Sequence, residues 1–197
     1  LINGYAPKAM AQACANLNIP LVHLSTEYVF DGTGIEPWQP EDTTKPQNAY
    51  GRSKKIGEDA IRSVGSTYCI LRTSWVVSSH GANFVKTMLN LSEKRNTLSI
   101  VADQVGGPTP AKDIAKACLQ IVKQLKQDPS KSGTYHFSGT EDVSWADLAT
   151  EIFQKTRRSI EVSPVPTCDY PTPAARPLNS RLDCSKTGEV FFINRPD

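Results

Sequence analysis

The length, composition and charge of the sequence exclude several classes of protein. With 197 residues, of which 39% are hydrophobic and 21% charged, the chain suits a globular protein with one core and a smaller lobe. Its net charge of +2 gives no electrostatic basis for binding nucleic acid or a membrane surface. No apolar run approaches the ~20 residues that cross a membrane as a helix.

The five cysteines are scattered, odd in number and never spaced C-x-x-C. They predict neither a disulfide framework nor a zinc site, and we assign no residue to a metal. The N-terminus lacks the basic start and apolar block of a signal peptide. A reducing cytoplasm is the simplest location for such a chain.

Helical and strand patterns alternate along the chain, which favours an α/β fold with a parallel sheet. The predicted helices lie at 5–17, 50–64, 83–95, 110–125 and 145–156. The predicted strands lie at 19–24, 68–77, 98–102, 133–138 and 160–165. The first of these strands is a short apolar run typical of a buried parallel strand.

Polar residues mark the starts of three helices. Asn83 is a candidate N-cap, and Ser144 with Asp147 resembles a capping box in which Asp replaces the usual Glu or Gln. Thr109 followed by Pro110 predicts a helix whose first residue is the proline.

Two loops interrupt the alternation. Residues 33–47 are rich in turn residues and are expected at the surface. Residues 164–177 contain five prolines and are predicted to form a rigid loop that presents Tyr170 and Arg176. The three histidines are far apart in sequence, and we expect each to be structural rather than catalytic: His23, His80 and His136.

Tyr50 and Lys54 form the first candidate catalytic pair. Because they are four residues apart, a helix places them on one face, one turn apart. A phenol has a reference pKa of about 10, and a nearby ammonium favours the phenolate and lowers that pKa. A proton donor works best when its pKa lies near the operating pH, so Tyr50 is a candidate general acid activated by Lys54. Taken alone, such a pair is also a common contact on a helix surface.

Hydroxyl residues follow two of the predicted strands. Ser25 and Thr26 end the first strand, and Thr73 and Ser74 lie near the end of the second. In open α/β sheets, ligands bind outside the carboxyl ends of the strands, where hydroxyls can bond a substrate oxygen. The alternative for the first pair is a simple turn leading into Asp31.

These motifs resemble those of a known superfamily. The stretches STEYVFDG at 25–32, YGRSK at 50–54 and LRTSW at 71–75 resemble the extended short-chain dehydrogenases/reductases. With 83–84, 103–109, 133–137 and 175–183 added in order, the sequence is similar to the dTDP-4-dehydrorhamnose reductase family over nearly its whole length.

The resemblance implies the C-terminal part of a Rossmann-type parallel sheet with a smaller α+β substrate-binding lobe. It assigns 1–78 and 98–139 to the Rossmann-type part, and 79–97 and 140–197 to the lobe. The family's Gly-rich loop for the cofactor pyrophosphate does not occur in this sequence. We therefore expect a fragment that begins inside the family's fourth helix and stops before its last one.

The reaction implied by the resemblance is reduction of the C4 ketone of dTDP-4-dehydro-L-rhamnose to dTDP-L-rhamnose. The hydride would come from NADPH or NADH. The expected partner is therefore a small nucleotide-sugar substrate, with no nucleic acid or membrane partner, and a homodimer is a candidate assembly.

The resemblance also implies roles for the residues at the reacting carbonyl. Tyr50 would give its proton to the developing alkoxide. Lys54 would lower the pKa of Tyr50 and hold the nicotinamide ribose. Thr26 would hydrogen-bond the ketone oxygen, and Glu27 stands at a sugar-contact position where the family usually has Asp.

Other residues would shape the rest of the substrate site. Trp75 would form a wall of the sugar pocket. The guanidinium of Arg176 suits a diphosphate, although it could equally brace the Pro-rich loop. Asn83 and Gln104 could cap and brace the fold or contact a ligand.

Two other functions are compatible with the same fold. One is a non-catalytic regulatory subunit similar to the beta subunit of methionine adenosyltransferase, which shares features at 133–139 and 176–186. Residues 72–75 and 104–109 fit the reductase better. The other is a nucleotide-sugar epimerase or dehydratase, enzymes that recycle their bound nicotinamide instead of consuming it.

Overall fold

The computed structural model describes residues 2–197, in which helices and strands alternate. The six α-helices of these residues are α1 (Tyr5–Asn16), α2 (Ala49–Val64), α3 (Phe84–Leu91), α4 (Ala111–Gln127), α5 (Trp145–Lys155) and α6 (Ser185–Phe191). The ten strands are β1 (Leu21–Thr26), β2 (Tyr68–Thr73), β3 (Val76–Val77), β4 (Thr97–Val101), β5 (Val105–Gly106), β6 (Thr109–Pro110), β7 (Gly133–His136), β8 (Val143–Ser144), β9 (Glu161–Val165) and β10 (Asn179–Ser180).

The main sheet is parallel, with strand order β1-β2-β7. The strand β1 pairs with β2 in a register that places Thr26 directly beside Thr73. Helix α2 connects these two strands, as expected for parallel neighbours. The predicted α/β class with a parallel sheet is confirmed, and the carboxyl ends of β1 and β2 lie at one edge.

Successive side chains of β2 pack into two different hydrophobic cores, one on each face of the sheet. Leu71 packs on one side of the sheet with Ile121 of α4 and Phe191 of α6. Ile70 points to the opposite side, where it packs with Ala11 of α1 and Ile61 of α2. Because successive side chains of a strand point to opposite faces, a strand buried on both faces reads as a continuous apolar run.

A second core lies where β4 pairs in parallel with β9 and packs against α3 and α5. The division into a Rossmann-type part and a substrate-binding lobe stays a prediction, and this packing supports two adjustments of its boundaries. We propose that β4, predicted in the first part, goes with the lobe because it pairs with β9. We propose that α6 goes with the main sheet because Phe191 packs in its core.

The helix starts at Asn83 and at Ser144 are confirmed. The Asn83 side chain caps α3, and Ser144 and Asp147 form a reciprocal capping box at α5. The predicted start of α4 is wrong by one residue. Pro110 has extended backbone angles and pairs in β6, and the Thr109 hydroxyl donates to the Gly107 carbonyl instead of capping the helix.

Two other predicted elements differ from the structure, and one helix was not predicted. The predicted strand 68–77 breaks after Thr73, because Trp75 has a φ of 43° that a strand does not accommodate. The predicted helix 83–95 ends at Leu91. Helix α6 was not predicted, since its seven residues are too few to give a helical period.

Over residues 2–197, no helix is both long and apolar enough to cross a membrane. The five cysteines are free. In the same residues, no group of three or more His, Cys, Asp or Glu side chains is arranged to hold a metal ion.

Gly51 allows α2 to approach the chain that follows β1. A Cβ atom there would overlap the Tyr28 carbonyl oxygen and crowd Pro46. We expect Gly51→Ala to lower the free energy of unfolding of the full natural protein by about 1–3 kcal/mol, because the helix must move away from a backbone atom. Denaturant unfolding measures this change.

Gly188→Ala is the matched control, because Gly188 is also helical and its Cβ would lie 3.8 Å from the nearest atom, the Ile193 carbonyl oxygen. This variant should keep or slightly increase stability. Equal losses in the two variants would contradict a steric origin.

Candidate active site

A cavity of about 560 Å³ lies at the carboxyl ends of β1 and β2. The register of these strands and the start of α2 bring its walls together. Its lining residues are Ser25, Thr26, Glu27, Tyr28, Asn48, Ala49, Tyr50, Thr73, Ser74, Trp75, Val76, Trp145, Ala174 and Arg176. Five of the six predicted site residues therefore line one cavity, and the sixth, Lys54, lies one helical turn below Tyr50.

Tyr50 and Lys54 occupy the first two turns of α2. Asn48 begins this helix by accepting a hydrogen bond from the Gly51 amide at 2.8 Å. Tyr50 is half-exposed and meets Tyr28 edge-to-face, with ring centroids 5.7 Å apart. The buried Lys54 Nζ donates to the Leu24 carbonyl at 2.6 Å, so its ammonium is directed toward β1.

The pKa of Tyr50 lies above its ordinary value. Burial raises it most, the charge of Glu27 adds to the rise, and the Thr26 hydroxyl opposes it. The direction of this shift is opposite to the predicted lowering, and the effect of Lys54 on the Tyr50 pKa stays a prediction. Sequence spacing placed the two residues on one face of the helix, and the structure shows the Lys54 ammonium bonded to the Leu24 carbonyl of β1.

Thr26 and Glu27 form a short hydrogen-bonded unit at the end of β1. The Thr26 hydroxyl accepts from the Tyr28 amide at 3.2 Å and pairs with Glu27 Oε2 at 2.8 Å. Only 3% of Glu27 is exposed. Burial raises the pKa of its carboxyl to about 7, against the opposing effect of the Thr26 hydrogen bond. A carboxyl that titrates near neutrality in a cavity is a candidate for proton transfer.

Trp75 forms one wall of the cavity and is held by a second tryptophan. The rings of Trp75 and Trp145 are stacked, with centroids 3.5 Å apart and planes 9° apart. Trp145 Nε1 donates to Gln104 Oε1 at 3.2 Å, and Gln104 Nε2 donates to the Thr167 hydroxyl at 3.1 Å. Gln104 therefore braces Trp145. The stacked Trp145 ring in turn helps to hold Trp75, whose backbone is in the left-handed region.

Arg176 is exposed and lies on the Pro-rich loop, as predicted. It lines both the first cavity and a neighbouring one of about 580 Å³, and Trp145 also lines both. Tyr170 lines the second cavity. Asn83 lines neither of these two cavities. Its side chain caps α3 and donates to the Ser78 carbonyl.

Sequence reasoning missed a buried ion pair behind the cavity. Glu58 receives hydrogen bonds from Arg72 Nε at 2.9 Å and from Arg72 Nη2 at 2.7 Å, and the Ser25 hydroxyl donates to it at 2.6 Å. Both charged side chains are almost completely buried. The signal was present in the sequence, because Tyr50, Lys54 and Glu58 repeat at four-residue intervals on one helix face.

Two of the three histidines lie next to charged groups. His136 is buried beside Arg72, and burial lowers its pKa to about 3, so it is neutral. The ring of His23 lies 3.3 Å from Lys54 Nζ, and burial with the Lys54 charge lowers its pKa to about 4. His23 is therefore neutral and able to accept a hydrogen bond from Lys54, a contact that its position in the sequence did not predict.

The sequence model of the RmlD substrate binding domain family matches residues 1–197. The chain belongs to this family. A dTDP-4-dehydrorhamnose reductase of Sinorhizobium fredii is 44% identical over 202 residues, which are 100% of this chain and 68% of the relative. One of Salmonella typhimurium is 41% identical with the same coverage.

Solved structures agree with this membership. The crystal structure of dTDP-4-dehydrorhamnose reductase from Bacillus anthracis in complex with NADP has a TM-score of 0.90 and 34% identity, covering 99% of this chain and 68% of that one. A reductase structure from Clostridium acetobutylicum also has a TM-score of 0.90, with 38% identity and coverage of 98% and 68%. This RmlD substrate binding domain thus spans about two thirds of the length of its relatives.

The buried pair of Glu58 and Arg72 should contribute to the stability of the fold. Burial alone would raise the pKa of Glu58, but the Arg72 hydrogen bonds and charge, with Ser25 and Arg62, hold it below its ordinary value. We expect Glu58→Gln to lower the free energy of unfolding by about 3–5 kcal/mol at neutral pH, since the Arg72 charge would stay buried without its partner.

The pH dependence gives a second readout by urea unfolding. A lowered native pKa stabilises the fold above the unfolded pKa of Glu58, and this stabilisation is lost as the pH falls through the native value. The difference between wild type and Glu58→Gln should therefore shrink in acid. Glu151→Gln, which breaks the exposed pair with Lys155, should change little. A pH-independent difference would contradict the ionic origin.

Proposed function

We propose that the full natural protein containing this chain reduces the C4 ketone of dTDP-4-dehydro-L-rhamnose to dTDP-L-rhamnose, using NADPH or NADH. The observation that carries this proposal is the meeting of Thr26, Tyr50 and Trp75 in one cavity at the carboxyl edge of a parallel sheet, with Lys54 beside them. The relatives named dTDP-4-dehydrorhamnose reductase support the same reaction.

Tyr50 is suited to protonate the oxygen at C4. Its raised pKa keeps the phenol protonated at neutral pH, so the donor is loaded before the substrate arrives. The negative charge that forms on the substrate oxygen would then draw the proton from Tyr50. The Thr26 hydroxyl would hydrogen-bond the same oxygen and stabilise the developing charge.

Lys54 and Tyr50 would hold the ribose next to the nicotinamide. An ammonium has three donors, and Lys54 spends one on the Leu24 carbonyl while His23 can accept a second. One donor thus stays free for a ribose hydroxyl, so the residues present fit this part of the cofactor. The reduced nicotinamide supplies the hydride for C4, whereas the Gly-rich loop that binds a pyrophosphate does not occur among these 197 residues.

The two neighbouring cavities suit the two ends of a nucleotide-sugar. The sugar would lie against the ring of Trp75 in the first cavity. Arg176, which lines both cavities, would meet the diphosphate between the sugar and the nucleoside. Glu27 would contact the sugar with a side chain one methylene longer than Asp.

For the setting of this reaction, we propose the cytoplasm, where nucleotide-sugars are made and consumed. Neither the charge balance nor the lining of the two cavities offers the basic surface that nucleic acid needs. A homodimer is our proposal for the assembly, and sedimentation of the full protein tests it.

Tyr50→Phe tests the acid directly. The change removes the proton donor and little volume, so we expect kcat for NADPH-dependent reduction of dTDP-4-dehydro-L-rhamnose to fall by roughly 10²–10⁴-fold while the protein stays folded. The measurement is loss of NADPH absorbance with the full natural protein. Tyr5→Phe, on the exposed surface of α1, is the control and should keep wild-type activity.

The stoichiometry of the same assay separates the alternatives. A reductase consumes one reduced nicotinamide for each sugar reduced, whereas an epimerase or dehydratase regenerates its cofactor. Cofactor binding without any oxidation would instead favour a regulatory subunit. Near-native activity of Tyr50→Phe would show that another group is the acid.

A further inference from the structure

Glu27 has features that a simple sugar contact does not require. It is the only carboxyl in the lining of the first cavity, it is 97% shielded from solvent by the fold, and its Oε2 lies 2.8 Å from the Thr26 hydroxyl. Thr26 in turn neighbours Tyr50, whose pKa responds both to Thr26 and to the charge of Glu27. Glu27, Thr26 and Tyr50 thus line the same cavity, and Thr26, which is bonded to Glu27, neighbours Tyr50.

We propose that Glu27 resupplies the proton of Tyr50 through the Thr26 hydroxyl after each reduction. This inference rests on the proposed reductase function and adds a catalytic residue to it. In the absence of substrate Tyr50 is half-exposed, so water could return its proton directly. A bound nucleotide-sugar would cover Tyr50, however, and the path through Thr26 would reach it from the protein side.

The proton transfers balance in three steps. Hydride addition to C4 forms a C–H bond, breaks the carbonyl π bond and leaves the electron pair on oxygen, while the reduced nicotinamide is oxidised. The Tyr50 O–H bond breaks as that oxygen takes the proton. The Tyr50 phenolate then takes the proton of the Thr26 hydroxyl, which at the same time takes the proton of the Glu27 carboxyl, and water later reprotonates Glu27.

The surroundings of Glu27 explain why it can hold a proton near neutral pH. Burial disfavours its carboxylate and raises its pKa to about 7. The titratable groups that face it are Tyr28 and Tyr50, both neutral because their own pKa values are raised. The charge of Arg176 acts on Tyr28 from the Pro-rich loop. The ammonium of Lys54 is bonded to the Leu24 carbonyl.

The test compares three variants of the full natural protein: Glu27→Gln, Glu27→Asp and Glu36→Gln. Glu36 is exposed, so Glu36→Gln is the control. Rapid mixing of reduced cofactor, enzyme and sugar should give a first turnover of Glu27→Gln that is faster than its later turnovers, because Tyr50 starts loaded. Later turnovers should slow by roughly tenfold or more, which appears as a burst of one equivalent per site. Glu27→Asp keeps a carboxyl and should restore most of the steady rate.

The pH profile and an infrared titration supply independent readouts. The steady rate of wild type should decline as the pH rises through about 7, because Glu27 loses the proton it donates, and this decline should vanish in Glu27→Gln. In cofactor-free protein, the carboxylic-acid band should titrate near neutral pH in wild type and Glu36→Gln and be missing in Glu27→Gln.

Each outcome decides the proposal. If wild type does not consume reduced nicotinamide with the sugar, the proposed function fails and this inference fails with it. If wild type is active but Glu27→Gln shows equal first and later turnovers with an unchanged pH profile, only the proton path is overturned. A first turnover slowed as much as the later ones would make Glu27 a substrate contact alone.

Discussion

The buried ion pair between Glu58 and Arg72 is the interaction on which the rest of the site depends. It joins the middle of α2 to β2, while Ser25 ties the same carboxylate to the end of β1. Both charges are removed from water, and the carboxylate is satisfied by two hydrogen bonds from the Arg72 guanidinium, one from Ser25 and one from Arg62. These bonds fix the rotation of α2 and thereby direct Tyr50 and Lys54, on the same helix face, toward the carboxyl end of β1.

The opposite wall of the cavity depends on contacts between the main sheet and the second core. Trp75 leaves β2 with a positive φ, a conformation that is costly for a bulky residue. Stacking on Trp145, which begins α5, offsets this cost and places the indole beside the cavity. Gln104 then holds Trp145 by a hydrogen bond, so the wall is built from three separate parts of the chain.

The electrostatics of the cavity favour neutral, protonated groups. Burial raises the pKa of Glu27 and of Tyr50, and a charge on either residue would raise the pKa of the other further. Such a cavity retains protons until negative charge develops on a substrate oxygen. The pair of Tyr50 with Lys54 is thus not the whole electrostatic environment of the phenol, because burial and the charge of Glu27 also act on Tyr50.

Local patterns in the sequence were sufficient for the α/β class, for most helices and for the pair of Tyr50 and Lys54, whereas the roles of Glu27, Trp75 and Arg176 followed from the resemblance to the reductase family. Caps at Asn83 and Ser144 act within a single turn, so their effect can be predicted without the rest of the fold. The tertiary structure alone decided where the Lys54 ammonium points, why the second strand breaks before Trp75, and that Arg72 meets Glu58. These features depend on partners brought together by folding: the Leu24 carbonyl, the Trp145 ring and a carboxylate on a neighbouring helix. Burial likewise set the pKa of Glu27 near neutrality, because the loss of water around a side chain follows from packing and not from its neighbours in sequence.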